Sequence, residues 1–339
     1  MSYMDKINIY VPKETGRILE RDAELFEIYK PDRLTINKNG FLSMLIQGYY
    51  DDYHDNEKKN YDIIMSALDR EEISQSTRED IANQIYNSLL APEIPSRKGK
   101  NPKILSLKPT RNTTPLIEQI LEDLGDQDYI SQYFCKMLSS YCNKPFSVRE
   151  QIVFHDNYCT LRNYCKKEQS IAFRIKWDTR IHRVIPYKVV VGQEEMFNYL
   201  LCAEIDPELG IQNPKVFRLC RIEGITTTKN LGTIDEKCFH FLKKMEEKGP
   251  QYVINDETES CVRLTEGGRI QFCRIYHGRP TPSRVEEKDG MYYYYFDCSK
   301  DQLFLYFRRF GYGAEILAPQ SLRERIIHFH SETRDIYNI

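Results

Sequence analysis

The chain has 339 residues, of which 41% are hydrophobic and 29% charged, and a net charge of -2 at neutral pH. It is too long for one ordinary core and too apolar for a disordered chain, so about two to four folded units are expected. No run of about 18 apolar residues spans a bilayer, and Met1 to Ile9 has no apolar signal-peptide core, so a cytoplasmic protein with no membrane partner is expected.

The first predicted element is a strand, Lys6 to Val11, with Ile7, Ile9 and Val11 on one face and Lys6, Asn8 and Tyr10 on the other. Pro12 suits the first turn of a helix carrying Ile18, Leu19, Ala23, Leu25 and Phe26. After Pro31 and Asp32, either Asn37 or Asn39 caps a second helix whose apolar stripe is Phe41, Leu42, Leu45, Ile46 and Tyr49. Tyr61 to Leu90 reads as further helix, and Ala91 to Pro102, rich in Pro, Gly and Lys, as a linker.

The pattern then repeats. A strand (Lys103 to Lys108), a proline (Pro109) and a helix with Leu116, Ile117, Ile120 and Leu121 precede Tyr133, Phe134, Met137, Leu138 and Tyr141. That last set matches the earlier stripe at a constant offset of 92 residues. Strand, helix, helix is the order of a ribbon-helix-helix half, and a lone strand has no pairing partner, so the two halves are expected to join as one antiparallel ribbon over four helices. A two-stranded ribbon fits the DNA major groove. The candidate contacts are Lys6, Asn8, Tyr10, Ser106 and Lys108, with a phosphate-binding arm at Arg97, Lys98 and Lys100. Ala91 to Asn112 holds six basic residues against one acid. The first half is acid-rich (Glu20, Asp22, Glu24, Glu27), which favours the competing reading of an assembly platform.

From Ser170 the period shortens to strands: Ile171 to Trp177, His182 to Val191, Phe197 to Ala203 and Val216 to Ile222. The blocks R-V-I-P-Y (Arg183 to Tyr187), N-Y-L (Asn198 to Leu200) and F-R-L-C-R-I (Phe217 to Ile222) occur in the order of a WYL domain, which this segment resembles. Asn198 stands where the family has its first aromatic residue. The resemblance implies an Sm/SH3-like small β-barrel that binds an anionic ligand or nucleic acid. Thr160 to Lys188 independently carries eight basic side chains against two acids. Candidate ligand contacts are Arg174, Lys176, His182, Arg183, Tyr187, Tyr199, Arg218 and Arg221, because arginine forks grip phosphate and tyrosine offers a stacking face. Arg183 and Tyr187 share strand parity and therefore one face.

Asp235 to Lys248 reads as an amphipathic helix and Gly268 to Tyr276 as another. A tyrosine-rich strand from Tyr292 follows, then a helix opened by Ser299 and Gln302 as a capping box, a strand at Ala314 to Ala318, and a final helix. This β-α-β-α run is similar to the extension that follows WYL domains and commonly mediates dimerisation. Alternation lets only half of the tyrosine run face one way, which favours a buried strand or dimer interface over a stacking platform.

The ten cysteines form no C-x-x-C pair, and several lie in apolar runs, so buried free thiols are expected. His155, Cys159 and Cys165 lack a fourth ligand at zinc spacing, and no metal or other cofactor is expected. There is no H-E-x-x-H, phosphate-cradling glycine loop or G-x-S-x-G, so an enzyme is not expected.

The expected architecture is α+β: a ribbon-helix-helix-like unit at 1–150 (halves at 1–55 and 102–145), a WYL domain at 151–230, and a helical connector with C-terminal dimerisation extension at 231–339. The arrangement resembles bacterial transcriptional regulators with a WYL sensor. It also resembles the WYL accessory proteins encoded beside type VI-D RNA-targeting CRISPR effectors, which bind single-stranded RNA and enhance the effector. The segment from Val262–Gly268 through Arg279–Pro280, between the WYL-like core and the extension, leans towards the second group. The expected partners are single-stranded RNA or DNA, a second copy of the chain as a homodimer, and an RNA-targeting CRISPR effector. The alternatives are a ligand-responsive DNA-binding regulator and a structural dimeric scaffold.

Overall fold

The computed structural model of the protein describes residues 6–69, 73–85, 102–124, 130–193, 195–206, 208–254 and 258–337. The chain divides into two compact units, Met1–Tyr158 and Cys159–Ile339. Both are mixtures of helices and antiparallel sheet, an α+β protein. Among the described residues no helix is long and apolar enough to cross a membrane.

In the first unit, β1 (Ile7–Val11) precedes α1 (Lys13–Leu25), α2 (Lys38–Leu68) and α3 (Gln75–Ile85). β2 (Lys103–Leu107), α4 (Thr114–Leu124), α5 (Ile130–Cys142) and α6 (Phe146–Val153) follow. β1 pairs antiparallel with β2, Asn8 opposite Ser106 and Tyr10 opposite Ile104. Period-two alternation turns Ile9, Val11, Leu105 and Leu107 into the core. The repeated stripes meet there: Phe41, Leu42, Leu45, Ile46 and Tyr49 of α2, and Phe134, Met137, Leu138 and Tyr141 of α5, are all buried. Tyr49 and Tyr141, the last members of the two stripes, have ring centroids 6.4 Å apart.

Asn37, rather than Asn39, caps α2, its side chain accepting from the Gly40 amide at 2.9 Å. Asn39 instead closes the end of the ribbon, accepting from the Lys108 amide at 2.7 Å. Of the further helix expected from Tyr61 to Leu90, the first part continues α2 without a break to Leu68, α3 is a second helix, and residues 70–72 and 86–90 lie outside the described residues.

The first unit also buries a charge. Asp22 of α1 is 0% exposed, and Arg149 of α6 binds it through Nε at 2.7 Å and Nη2 at 3.0 Å, while the Tyr141 hydroxyl donates to it at 2.8 Å. Three donors satisfy a carboxylate that burial alone would make costly.

α7 (His155–Lys167) begins at the end of the first unit, and in the second it leads into β3 (Ile171–Ile175), β4 (Ile181–Val191), β5 (Asn198–Ile205), β6 (Gln212–Arg218) and β7 (Ile222–Thr227). These form one antiparallel sheet in the order β6-β5-β4-β3-β7. β6 and β7 are the outer strands of this order and do not pair with each other, so hydrogen bonding does not close the sheet into a full barrel. The single strand expected at Val216 to Ile222 breaks at a short 3-10 turn, Leu219–Arg221, where the buried Leu219 and Cys220 redirect the chain to the far edge. β5 is buried on both faces from Asn198 to Ala203.

α8 (Glu236–Lys248) lies across this sheet. Its Cys238, Phe241, Leu242 and Met245 pack on Ile185, Leu201, Ala203 and Ile254. Lys244 of the same helix forms an ion pair with Asp297 of the C-terminal part.

That part contains β8 (Ser260–Leu264), α9 (Glu266–Arg274), β9 (Arg284–Lys288), β10 (Met291–Phe296), α10 (Lys300–Phe307), β11 (Ala314–Ala318) and α11 (Gln320–Ile336). The sheet order β11-β8-β10-β9 inserts β8 between the two strands of the expected β-α-β-α run. Tyr294 and Phe296 of β10 join Val262, Phe272, Phe307 and Ile316 in the core, so alternation divides the tyrosine run as expected. Gly268 on α9 has no room for a side chain: a Cβ there would stand 1.9 Å from the Gly313 carbonyl oxygen.

Two outcomes are expected. Arg149→Ala strands Asp22 without its cation and should cost about 3–5 kcal/mol in urea unfolding. Burial pushes Cys142, Cys165, Cys238 and Cys298 up from 9.0 to about 12. The folded chain therefore holds those protons more tightly than the unfolded chain. The stability linked to them is intact below pH 9.0 and is lost as pH rises from there towards 12, so a pH series of thermal unfolding should show Tm falling through that window.

Candidate nucleic-acid interface

α8 packs on the β4-β5-β6 part of one sheet face, and among the described residues the β3-β7 side of that face is open, with Arg174, Ile181 and Arg183 exposed. Ala172 of β3 stands opposite Arg183 on one neighbour and Thr226 on the other, and Arg174 stands opposite Ile181 and Glu223. Residues directly opposite each other share a face, so Arg174 and Arg183 are neighbours on one surface. Both are exposed. Among the described residues neither has a side-chain hydrogen bond or ion pair, Glu223 included.

The turn that joins β3 to β4 adds Trp177, the one tryptophan of the sequence, 47% exposed and held at a positive φ of 69°. In the same turn Asp178 accepts from the Arg180 amide at 2.9 Å and lies 3.8 Å from the Arg180 guanidinium. That amide and the neighbouring cation hold the Asp178 carboxyl below its ordinary value. Trp177 was not among the residues expected at the site. Its sequence signal was a lone tryptophan between Lys176 and Asp178, at the end of what read as an uninterrupted strand.

Other expected contacts have different places. His182 is 1% exposed, stacked against Phe173 and with Phe217 at 4.8 Å, its Nδ1 2.7 Å from Glu204. It belongs to the core on the opposite face, beyond the reach of a ligand, because strand alternation turns it away from Arg183. Tyr199 is buried as well, its hydroxyl donating to Glu195 at 2.7 Å, and burial raises its pKa. Asn198 is likewise buried beside it.

Arg218 is spent on structure. Its guanidinium lies 3.8 Å from the centre of the Phe197 ring and binds Glu195 at 2.8 Å. Tyr187 is the extra residue of a bulge, where the register with β5 shifts between Pro186 and Lys188. It shares the face of Arg183, as parity requires, but α8 covers its end: its hydroxyl donates to Glu246 at 3.1 Å and its ring meets Phe239 edge-on. Lys188 is also bound to Glu246, at 2.5 Å. Arg221 is exposed at the turn between β6 and β7, and its carbonyl accepts from the Lys176 amide at 2.8 Å, so these two lie at the border of the open face.

On the ribbon of the first unit, Asn8 and Ser106 face outward and are joined by a 3.3 Å hydrogen bond, with Tyr10 and the exposed Ile104 alongside. Lys6 and Lys108 are both exposed at one end of it, just beyond the Ile7–Leu107 pair. From Asn8 and Ser106 to Tyr10 and Ile104 the outward face carries no charge of its own. Lys103, on the inward parity, is bound to Glu20. The expected arm residues Arg97, Lys98 and Lys100 lie outside the described residues. Among the described residues no group of three or more His, Cys, Asp and Glu is placed to hold a metal ion.

No protein-family profile matches the chain, and no curated protein sequence matches it. Among solved structures, the crystal structure of a CRISPR Cas-related protein covers 100% of this chain and 95% of its own, with a TM-score of 0.68 at 18% identity. At that identity the likeness establishes a shared fold. The proteasome accessory factor B/C (PafBC) of Arthrobacter aurescens reaches a TM-score of 0.21 at 15% identity, over 50% of this chain and 26% of that one, too low to bear on the fold.

The division of arginines into structural and free ones has a direct test. Arg218→Ala removes a stacked cation and should lower stability by about 1–2 kcal/mol, whereas Arg183→Ala should stay within about 0.5 kcal/mol of the parent in chemical denaturation.

Proposed function

We propose that this protein is a non-enzymatic regulator that binds single-stranded nucleic acid, RNA foremost, on the open face of its WYL-like sheet. The observation that carries the reading is the pair Arg174 and Arg183, exposed on adjacent strands with no acidic partner, beside the exposed ring of Trp177. Two free guanidinium groups match two backbone phosphates, and an indole offers a base the stacking face that sequence-tolerant binding needs. The fold shared with a CRISPR Cas-related protein supports a place beside an RNA-targeting CRISPR effector. The N-terminal unit is read as two ribbon-helix-helix halves in one chain, and the C-terminal part as the extension through which a homodimer forms.

A second reading has its own support. The antiparallel register that sets Asn8 opposite Ser106 gives an outward polar pair of the kind that contacts base edges in a major groove, which favours a DNA-binding regulator using the ribbon.

Fluorescence anisotropy of the full chain against single-stranded RNA, single-stranded DNA and duplex DNA separates the two. The first reading expects single strands to bind more tightly than duplex. Arg174→Ala with Arg183→Ala should then weaken binding about tenfold or more and lower the salt slope by about 0.7 for each phosphate no longer neutralised. Unchanged affinity in that double variant refutes the sheet-face assignment, and a preference for duplex, abolished in Asn8→Ala, transfers the function to the ribbon.

A further inference from the structure

We infer that a second binding surface for single-stranded nucleic acid lies on the C-terminal part, built from the loop after α9 and the loop after α10. It stands on observations separate from the open sheet face. The two segments read R-I-Y-H-G-R (Arg274 to Arg279) and R-R-F-G-Y-G (Arg308 to Gly313). From Gly267 to Val285, and again from Gln302 to Ala314, the sequence contains no acidic residue.

The fold fastens these segments together. Gln271 of α9 donates to the Arg309 carbonyl at 3.4 Å, and Arg309 reaches back to the His277 carbonyl at 3.0 Å. The Tyr306 hydroxyl donates to the Ile275 carbonyl at 2.6 Å, and Gly313 lies against Gly268 at the other end of α9. The second loop therefore runs along α9 from its C-terminal to its N-terminal end. Arg279 donates to the Cys273 carbonyl at 3.3 Å, capping α9 with a cation.

Positive charge gathers here without neutralisation. Arg274, Arg279, Arg308 and Arg309 form no ion pair among the described residues; Arg279 lies over the Phe272 ring, Arg309 over Tyr306 and Arg308 over Phe304 and Phe329, which leaves their charge without a counter-ion. The acids that flank the loops are already bound elsewhere: Glu266 by Arg269, and Glu315 by both Arg263 and Arg323.

Two large rings stand out of this basic surface. Tyr276 is 73% exposed and Tyr312 100% exposed, and among the described residues neither has a side-chain hydrogen bond or a ring contact. Large exposed aromatics on a folded core mark an interaction site, and their setting chooses the occupant. A hydrophobic partner would not be met by guanidinium groups without counter-charges. A single strand of nucleic acid supplies phosphates to those groups and unpaired bases to the tyrosine faces. RNA and DNA share this chemistry, and the test distinguishes them.

The experiment titrates the full chain into fluorescein-labelled oligouridine and, separately, oligothymidine, at two salt concentrations. Tyr276→Ala with Tyr312→Ala removes both rings without touching a packed residue, and is expected to weaken binding about tenfold or more. Arg274→Ala should lower the salt slope by about 0.7. A larger loss on oligouridine assigns the surface to RNA, and an equal loss assigns it to single strands generally. Full affinity in the double tyrosine variant overturns the inference, and if that variant instead turns a dimer into a monomer by light scattering, the surface joins two copies of the chain. Running Arg174→Ala/Arg183→Ala in parallel separates the two sites: loss in that variant alone leaves the sheet face standing and removes this surface, while loss in the tyrosine variant alone does the reverse.

Discussion

The placement of α8 governs what the second unit can do. Its apolar face, Cys238, Phe241, Leu242 and Met245, must be buried, and the apolar residues on the α8-facing side of β4 and β5 need the same cover. The helix satisfies both over half of the sheet face and stops there. Tyr187 and Lys188 come under it and are tied to Glu246, while Arg174 and Arg183 remain in water. The same helix, through Lys244 and Asp297, ties the sheet to the C-terminal part. One hydrophobic docking event thus both stabilises the sheet and defines which of its arginines stay in water.

Ion pairing makes the second selection. The chain carries nearly equal numbers of basic and acidic residues, 48 and 50, so an available cation is one that the fold keeps apart from acids. Arg149 is neutralised inside the first unit, Arg218 lies on Phe197 against Glu195, and Lys103 is held by Glu20. A partnered surface cation adds little attraction for phosphate, because its field is cancelled within a few ångströms. Among the described residues, arginines without an acidic partner stand together on the open sheet face and on the two loops along α9, and each place also has an exposed aromatic ring.

The first unit follows a different constraint. A single strand leaves a row of backbone donors and acceptors unsatisfied, so β1 requires β2, almost a hundred residues further on, before either half can bury its helices. The equivalent tyrosines of the two stripes meet in the middle of that core, and the Asp22–Arg149–Tyr141 cluster links α1, α6 and α5 across it.

The sequence by itself marked the ribbon strands, many of the helices and the repeated stripe. Alternation marked β1 and β2, the 92-residue offset identified the two equivalent stripes, and Ser299 marked a helix start, because these depend on neighbours within a turn or a strand, whereas the choice of Asn37 over Asn39 fell to the structure. Only the tertiary structure decided the site. Parity placed Arg183 and Tyr187 on one face, but a helix some fifty residues away covered one and spared the other. His182, Tyr199 and Arg218 carried the right chemistry for a ligand, yet Glu204, Glu195 and Phe197 claimed them through contacts across the sheet or from the loop before β5. A pattern of charges shows what a chain can offer a partner; burial and ion pairing, which arise between residues far apart in sequence, determine what remains to be offered.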